Sequence, residues 1–123
     1  MTITSAQIRA MARGETNTLV IDWGENTAGQ ETGVLKAGDT VASCTAAVYA
    51  KPPGADDLIL GAVSPNATTV YINGRACSAG EATSGNVTTA SNQSAGLYVL
   101  RYTATTTNGK VLPRFVRVLV LVP

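Results

Sequence analysis

An all-β fold, an immunoglobulin-like β-sandwich of about seven antiparallel strands with an extended or short-helical N-terminal arm, is what this sequence predicts on three observations. Small and β-branched residues dominate a chain of 123 residues in which charged residues are 14% and aromatics only 5%, a composition that suits strands better than helices. Apolar and polar residues alternate over several short stretches, the period of a half-buried strand. Turn signals separate those stretches at Gly38-Asp39, Pro52-Pro53-Gly54, Pro65-Asn66, Asn73-Gly74 and Asn108-Gly109. The length fits one domain. Its core has to be lean, built from Val, Leu, Ile and Ala with Trp23 and the four Tyr as the bulkiest pieces.

Residues 1–17 read as an arm in front of a sandwich domain at 18–123. Ser5 is placed to cap a short helical turn in which Ile8, Met11 and Ala12 share a face, and Gly14 is placed to end it. So short a helix is marginal in isolation, so the arm is expected to order only against a neighbour. Its candidate contact residues are Ile8, Arg9, Met11 and Arg13. On this reading removal of residues 1–14 leaves the domain's melting unchanged and abolishes assembly; a frayed terminus without a role is the other reading.

Strands follow in order. Thr18–Trp23 forms the first, and the polar stretch Glu25–Gly33 leads away from it. Thr40–Ala50 alternates throughout, and Lys51-Pro52-Pro53-Gly54 stops it. Leu58–Val63 and Thr68–Ile72 are the next two, and within the Gly/Ser/Thr/Asn-rich stretch 79–95 at most Asn86–Ala90 forms a short edge strand. Leu97–Thr105 and Val111–Val122 read as a hairpin. Tyr98, Leu100, Tyr102 and Ala104 are expected to face the core, opposite a stripe of Val116, Val118, Val120 and Val122. Leu119 and Leu121 then face outward, apolar on the wrong side for a solvated strand, and are expected beneath a neighbouring subunit. The start of the penultimate strand, Ala95-Gly96-Leu97-Tyr98, resembles a tyrosine corner, in which a buried ring ties a loop to a strand through its hydroxyl.

Catalytic chemistry finds little to use. The chain has no histidine, which removes the commonest general base and metal ligand. Asp56-Asp57 is a paired carboxylate in a turn with no third ligand at the required spacing, so it reads as solvated, and no metal or cofactor is expected. No phosphate-binding glycine loop is present. Cys44 and Cys77 are too few for a disulfide framework; without a secretory leader at the start, the chain is expected to be made in a cytosol with both thiols free. The longest apolar run, Val118–Val122, is too short to cross a bilayer as a helix.

Charge is unevenly placed. Arg9 and Arg13 precede the first acid, all eight acids lie between Glu15 and Glu81, and only Arg101, Lys110, Arg114 and Arg117 follow. A basic side and an acidic side on one molecule suit head-to-tail or ring packing; neutralisation between neighbouring strands is the alternative. The basic segments lack the density and interleaved aromatics of a nucleic-acid surface.

Four segments in order, TLVIDWGENTAG, VLKAGDTVASCTAAV, TTVYINGRACSAGE and GLYVLRYTATTTNGK, resemble the phage fiber-tail adaptor proteins and related small virion proteins, over residues 18–118. The chain departs from that pattern in Gly24 after the Trp, in a longer insert around Lys51–Asp57 and in Cys77. The resemblance implies a bacteriophage virion protein that joins tail or neck to fibers in several copies around an axis. It implies contacts with other virion proteins and with its own copies, and no catalytic residues, nucleic acid, membrane or small-molecule substrate. A capsid decoration protein is the alternative. A carbohydrate-binding module would want an exposed aromatic platform, whereas Trp23 and the four tyrosines are expected mostly on inward faces or at strand starts.

Overall fold

The computed structural model describes residues 8–24, 34–72 and 74–122. Ser5, the stretch Glu25–Gly33 and Asn73 of the expected Asn73-Gly74 turn lie outside them. Among the described residues there are ten strands and no helix: β1 (Ile8–Ala12), β2 (Thr16–Asp22), β3 (Val41–Ala50), β4 (Ile59–Leu60), β5 (Ser64–Pro65), β6 (Val70–Ile72), β7 (Arg75–Cys77), β8 (Ala82–Thr88), β9 (Gly96–Thr106) and β10 (Val111–Leu121). No helix among these residues is long and apolar enough to cross a membrane.

Two sheets face each other across one core. The first has the order β1-β10-β9-β3; the second is β2-β8-β4, with β5 also on β8; β6 and β7 form a small separate hairpin. The β9–β10 hairpin is the longest pairing, from Val111↔Thr105 to Val120↔Gly96. Its turn closes with Thr106 N–H donating to the Lys110 carbonyl at 2.8 Å and Gly109 N–H to the Thr106 carbonyl at 3.0 Å; Gly109 sits at φ +82, a conformation a side chain would strain. Because strand side chains alternate, the inner face of this sheet takes Tyr98, Leu100, Tyr102 and Ala104 from β9 and Val116, Val118 and Val120 from β10, all buried as the sequence predicts. Val122 lies past the end of β10 and is exposed, so the inward stripe stops at Val120.

Trp23 fills the space between the sheets with no surface exposed. Its indole N–H donates to Thr83 Oγ1 at 3.0 Å, its backbone N–H to the Glu81 carbonyl at 2.8 Å, and its carbonyl accepts from Val34 N–H at 3.0 Å. Arg114 lies over the ring at 5.6 Å from its centroid. A buried indole that left its donor unpaired would lose about 1–3 kcal/mol. Tyr98 forms the expected corner: its hydroxyl donates to the Ser94 carbonyl at 2.7 Å and accepts from Gln93 Nε2 at 3.1 Å.

Of the extended and short-helical forms expected for the arm, the described part takes the extended one, and this corrects the helical turn. Ile8–Ala12 pairs parallel with β10, from Ile8↔Arg117 to Ala12↔Leu121, so one pair of the sandwich is parallel where antiparallel strands were expected. Ile8, Met11 and Ala12 do not share a face: Met11 points into the core at 3% exposure while Ile8 and Ala12 are exposed. Their i, i+3, i+4 spacing is that of a helical face, and pairing with the edge of β10 overrides it. The turn from β1 to β2 is pinned to the loop before β9: Ala12 N–H donates to Glu15 Oε2 at 2.8 Å, Thr89 Oγ1 to the Ala12 carbonyl at 2.6 Å, and Arg13 Nε to the Gln93 carbonyl at 2.6 Å.

The second sheet departs most from expectation. β8 is a seven-residue central strand, paired with β2 from Thr16↔Thr88 to Asp22↔Ala82 and with β4 and β5 on its other side, where the sequence suggested only an edge at Asn86–Ala90. Its small residues serve close approach: a Cβ on Gly85 would stand 3.0 Å from the Ala62 carbonyl oxygen and 3.0 Å from Val63 Cγ2. The strand expected at Leu58–Val63 shortens to β4, and β5 follows it at Ser64–Pro65, where the Pro65-Asn66 turn was expected to begin.

Removing residues 1–14 therefore takes out a sheet strand and the buried Met11. The truncated chain is expected to lose about 2–5 kcal/mol, the range for emptying one large core site, read as a lower urea midpoint; an unchanged midpoint would mean that β1 adds nothing to the domain.

Candidate protein-interaction surface

The outer face of the first sheet is where the sequence-predicted contact residues of β1 and β10 meet. Register places Ile8, Arg117 and Val99 in one row, Ala10, Leu119 and Leu97 in the next, and Phe115, Arg101 and Ala47 in a third. Tyr49 of β3 sets its ring edge-on to Phe115, with centroids 4.9 Å apart. Large apolar side chains open to solvent on this face are Ile8 at 51%, Tyr49 at 63%, Leu97 at 40% and Leu121 at 50%, with Val111 at 62% at its far end. Leu119 is half-buried between Ala10 and Leu97. The other end of the face, around Ser43, Thr45, Thr103 and Thr105, is polar. A contiguous exposed apolar area on a small domain marks a contact site more often than chance exposure does.

The predicted residues divide. Ile8, Leu119 and Leu121 stand on this face. Met11 does not; it belongs to the core, and its assignment as a contact residue is corrected. Arg13 is tied to the Gln93 carbonyl and serves the fold. Arg9 faces the other way, lining with Met11, Leu19, Val87 and Val118 a cleft of about 180 Å³ between the edges β1 and β2. Trp23, Tyr98 and Tyr102 face inward, while Tyr49 and Tyr71 are exposed. They occupy different sheets, Tyr71 on the β6–β7 hairpin and Tyr49 on β3.

A second polar constellation was not visible in the sequence. Arg75 of β7 grips Asp22 at the end of β2 with two bonds, Nε to Oδ2 at 2.9 Å and a terminal guanidinium nitrogen to Oδ1 at 2.7 Å. Its other terminal nitrogen lies 3.7 Å from Glu81 Oε1, which also accepts from Ser78 N–H at 2.7 Å. Asp22 and Glu81 are fully buried. The group holds the β6–β7 hairpin to the second sheet, and Cys77 packs there with no exposed surface. Burial pushes the Cys77 thiol up to about 11, with the Asp22 carboxylate adding to the rise, so it remains protonated and a poor nucleophile. Cys44 is buried in β3 and burial raises its pKa too; both cysteines are free thiols.

Asp56 and Asp57 lie exposed in the loop after β3, Asp57 paired with Lys51 at 2.9 Å. Among the described residues no group of three or more Cys, Asp or Glu side chains could hold a metal.

No known family model matches the chain, and no curated protein sequence matches it. Among solved structures it is similar to a nucleoside hydrolase-related hypothetical protein from Saccharophagus degradans associated with carbohydrate metabolism, at 16% identity and a TM-score of 0.43. That match covers 93% of this chain and 22% of the other, so the chain spans under a quarter of that protein's length. At this level the likeness carries no argument about fold or activity.

Two outcomes follow from the buried charges. Arg75→Met leaves Asp22 and Glu81 without their cation and is expected to cost about 3–5 kcal/mol, whereas Arg75→Met combined with Asp22→Asn recovers part of it; denaturant titration of both variants checks this. Burial tends to raise the Asp22 and Asp39 pKa values, but Arg75 and Gly24 N–H on Asp22, and the Thr106 and Thr107 hydroxyls with Asn108 and Thr40 N–H on Asp39, outweigh it and hold both carboxyls below their ordinary value. Their stabilisation is complete above the unfolded aspartate range of about pH 4 and is lost as pH falls through the lower folded values. The urea midpoint should be flat from neutral pH down to about pH 5, fall in acid, and fall less steeply in Asp39→Asn.

Proposed function

We propose that this chain is a structural virion protein of a bacteriophage, an adaptor that joins tail or neck to fibers by protein–protein contacts and without catalysis. The observation that carries the reading is the exposed apolar face of the first sheet, where Ile8, Leu97, Leu121 and the Tyr49–Phe115 pair stand on a rigid two-layer scaffold. A sheet face of this kind, backed by a fully packed core, offers a fixed contact surface at little cost in conformational freedom.

The ordered resemblance adds support, because its four segments fall on successive parts of the frame. The Ile21-Asp22-Trp23 segment ends β2 and supplies the central ring; Gly38-Asp39-Thr40 leads into β3, with Asp39 Oδ1 accepting from Thr107 Oγ1 at 2.8 Å and so tying that turn to the β9–β10 loop. The Thr-x-Val-aromatic segment enters β6, and the last segment is β9 with its turn. On this reading the chain acts in several copies about the tail axis, beside tail or neck proteins and fibers, in the assembled particle. The absence of histidine from the sequence agrees with a non-catalytic role.

Quantitative mass spectrometry of purified particles carrying this protein tests the reading. An adaptor is expected at about one ring of copies per virion, as closed symmetry requires. Hundreds of copies would replace it with capsid decoration, and none would end the virion reading.

A further inference from the structure

We infer that the outer face of the β1-β10-β9-β3 sheet docks a partner protein surface that is apolar and acidic. This rests on the contact role proposed above and names the chemistry of what the face accepts. The four strands of the sheet carry Arg9, Arg101, Arg114 and Arg117 and not one Asp or Glu. Arg114 is turned inward over Trp23 and Arg9 lines the inter-sheet cleft. Arg101 and Arg117 are left on the outer face, set within the apolar rows.

Arg101 is the exposed one, and its neighbours across the sheet are Phe115 on one side and Ala47 on the other. The Tyr49–Phe115 ring pair stands beside it. A guanidinium next to an exposed tyrosine and its half-buried phenylalanine partner, flanked by aliphatic side chains, matches the composition of energetic centres in protein interfaces. Its natural complement is a carboxylate, which the guanidinium binds bidentately, within an apolar surround.

Among the described residues, no strand of this sheet supplies that complement. Asp22, Asp39 and Glu81 are buried elsewhere, Glu15 holds the Ala12 N–H, and Asp57 is paired with Lys51 in the loop after β3. Two copies packed face to face would set arginine against arginine, which disfavours a symmetric dimer through this surface. Membrane adhesion calls for clusters of about 4–8 basic residues, and nucleic acid for a denser basic stripe; two arginines on a largely apolar face meet neither.

The test uses the intact purified protein, isotopically labelled, and two synthetic peptides, one alternating Leu with Glu and one alternating Leu with Lys. The Leu/Glu peptide is expected to shift the amide resonances of Tyr49, Leu97, Arg101, Phe115 and Leu119. Its affinity should fall at least about fivefold in Arg101→Glu, less in Arg101→Gln, through loss of one charge-assisted contact, and should weaken further at about 0.5 M salt. Circular dichroism and the melting temperature of both variants should match the parent, since Arg101 is exposed. The inference is overturned by absence of binding, by equal affinity for the Leu/Lys peptide, by shifts confined to other surfaces, or by stronger binding to phosphatidylglycerol vesicles. Self-association in sedimentation that Arg101→Glu abolishes would also overturn it, in favour of a second copy. None of these results bears on copy number in particles, so the virion reading fails or survives separately.

Discussion

The sandwich closes around Trp23. With so few aromatics, the space between the sheets depends on one indole at the end of β2, and each of its polar groups has a partner: Thr83 on the ring, Glu81 and Val34 on the backbone. Those bonds join β2 to β8 and bring the chain back toward β3, while Arg114 of the opposite sheet covers the ring. The aliphatic residues around it, from Ile21 and Leu35 to Leu100 and Val118, complete a single core. Each such side chain contributes about 1.5–3 kcal/mol when fully buried, but their mutual placement follows from the ring they surround.

A lean core has a consequence for the surface. Few large side chains are available, and several of those present stand outside: Tyr49, Phe115, Leu97, Leu119 and Leu121 line the solvent side of a sheet whose inner side is already full. A strand apolar on both faces is ordinary where a second layer covers it. Here the second layer covers the inner side, and the outer side carries Arg101 and Arg117, two of the four arginines of strands that hold no acid. Packing and charge thus point to the same face.

Polar groups inside the fold do a different task. Asp22, Arg75 and Glu81 tie a small hairpin to the second sheet; Asp39 ties the approach to β3 to the β9–β10 turn; Gln93 joins the Asp56 carbonyl, Tyr98 and the Ala90 N–H. Each connects segments far apart in sequence. Buried charges of this sort add little net stability compared with well-packed apolar groups, but breaking one partner is costly, which discourages alternative arrangements of the loops.

The alternating pattern of β9 and β10 by itself determined the hairpin at the centre of the first sheet and its inward residues up to Val120, and that of β3 its extent, because period-two alternation, Asn-Gly and Gly-Asp turns and a tyrosine corner are local signals that each strand carries within itself. Leu119 and Leu121 were legible for the same reason, as apolar residues on the solvated side of a strand. The tertiary structure alone decided three things. Ile8–Ala12 became a strand because the edge of β10 was there to pair with it; Ala82–Thr88 became a central strand because its small residues admit Ala62 and Val63 at close range; and Asp22, Arg75 and Glu81 met because β2, β7 and β8 converge. Most of the stabilising partners lie far off in sequence, as Arg117 does from Ile8 and Asp22 from Arg75, so the segment's own pattern does not announce them.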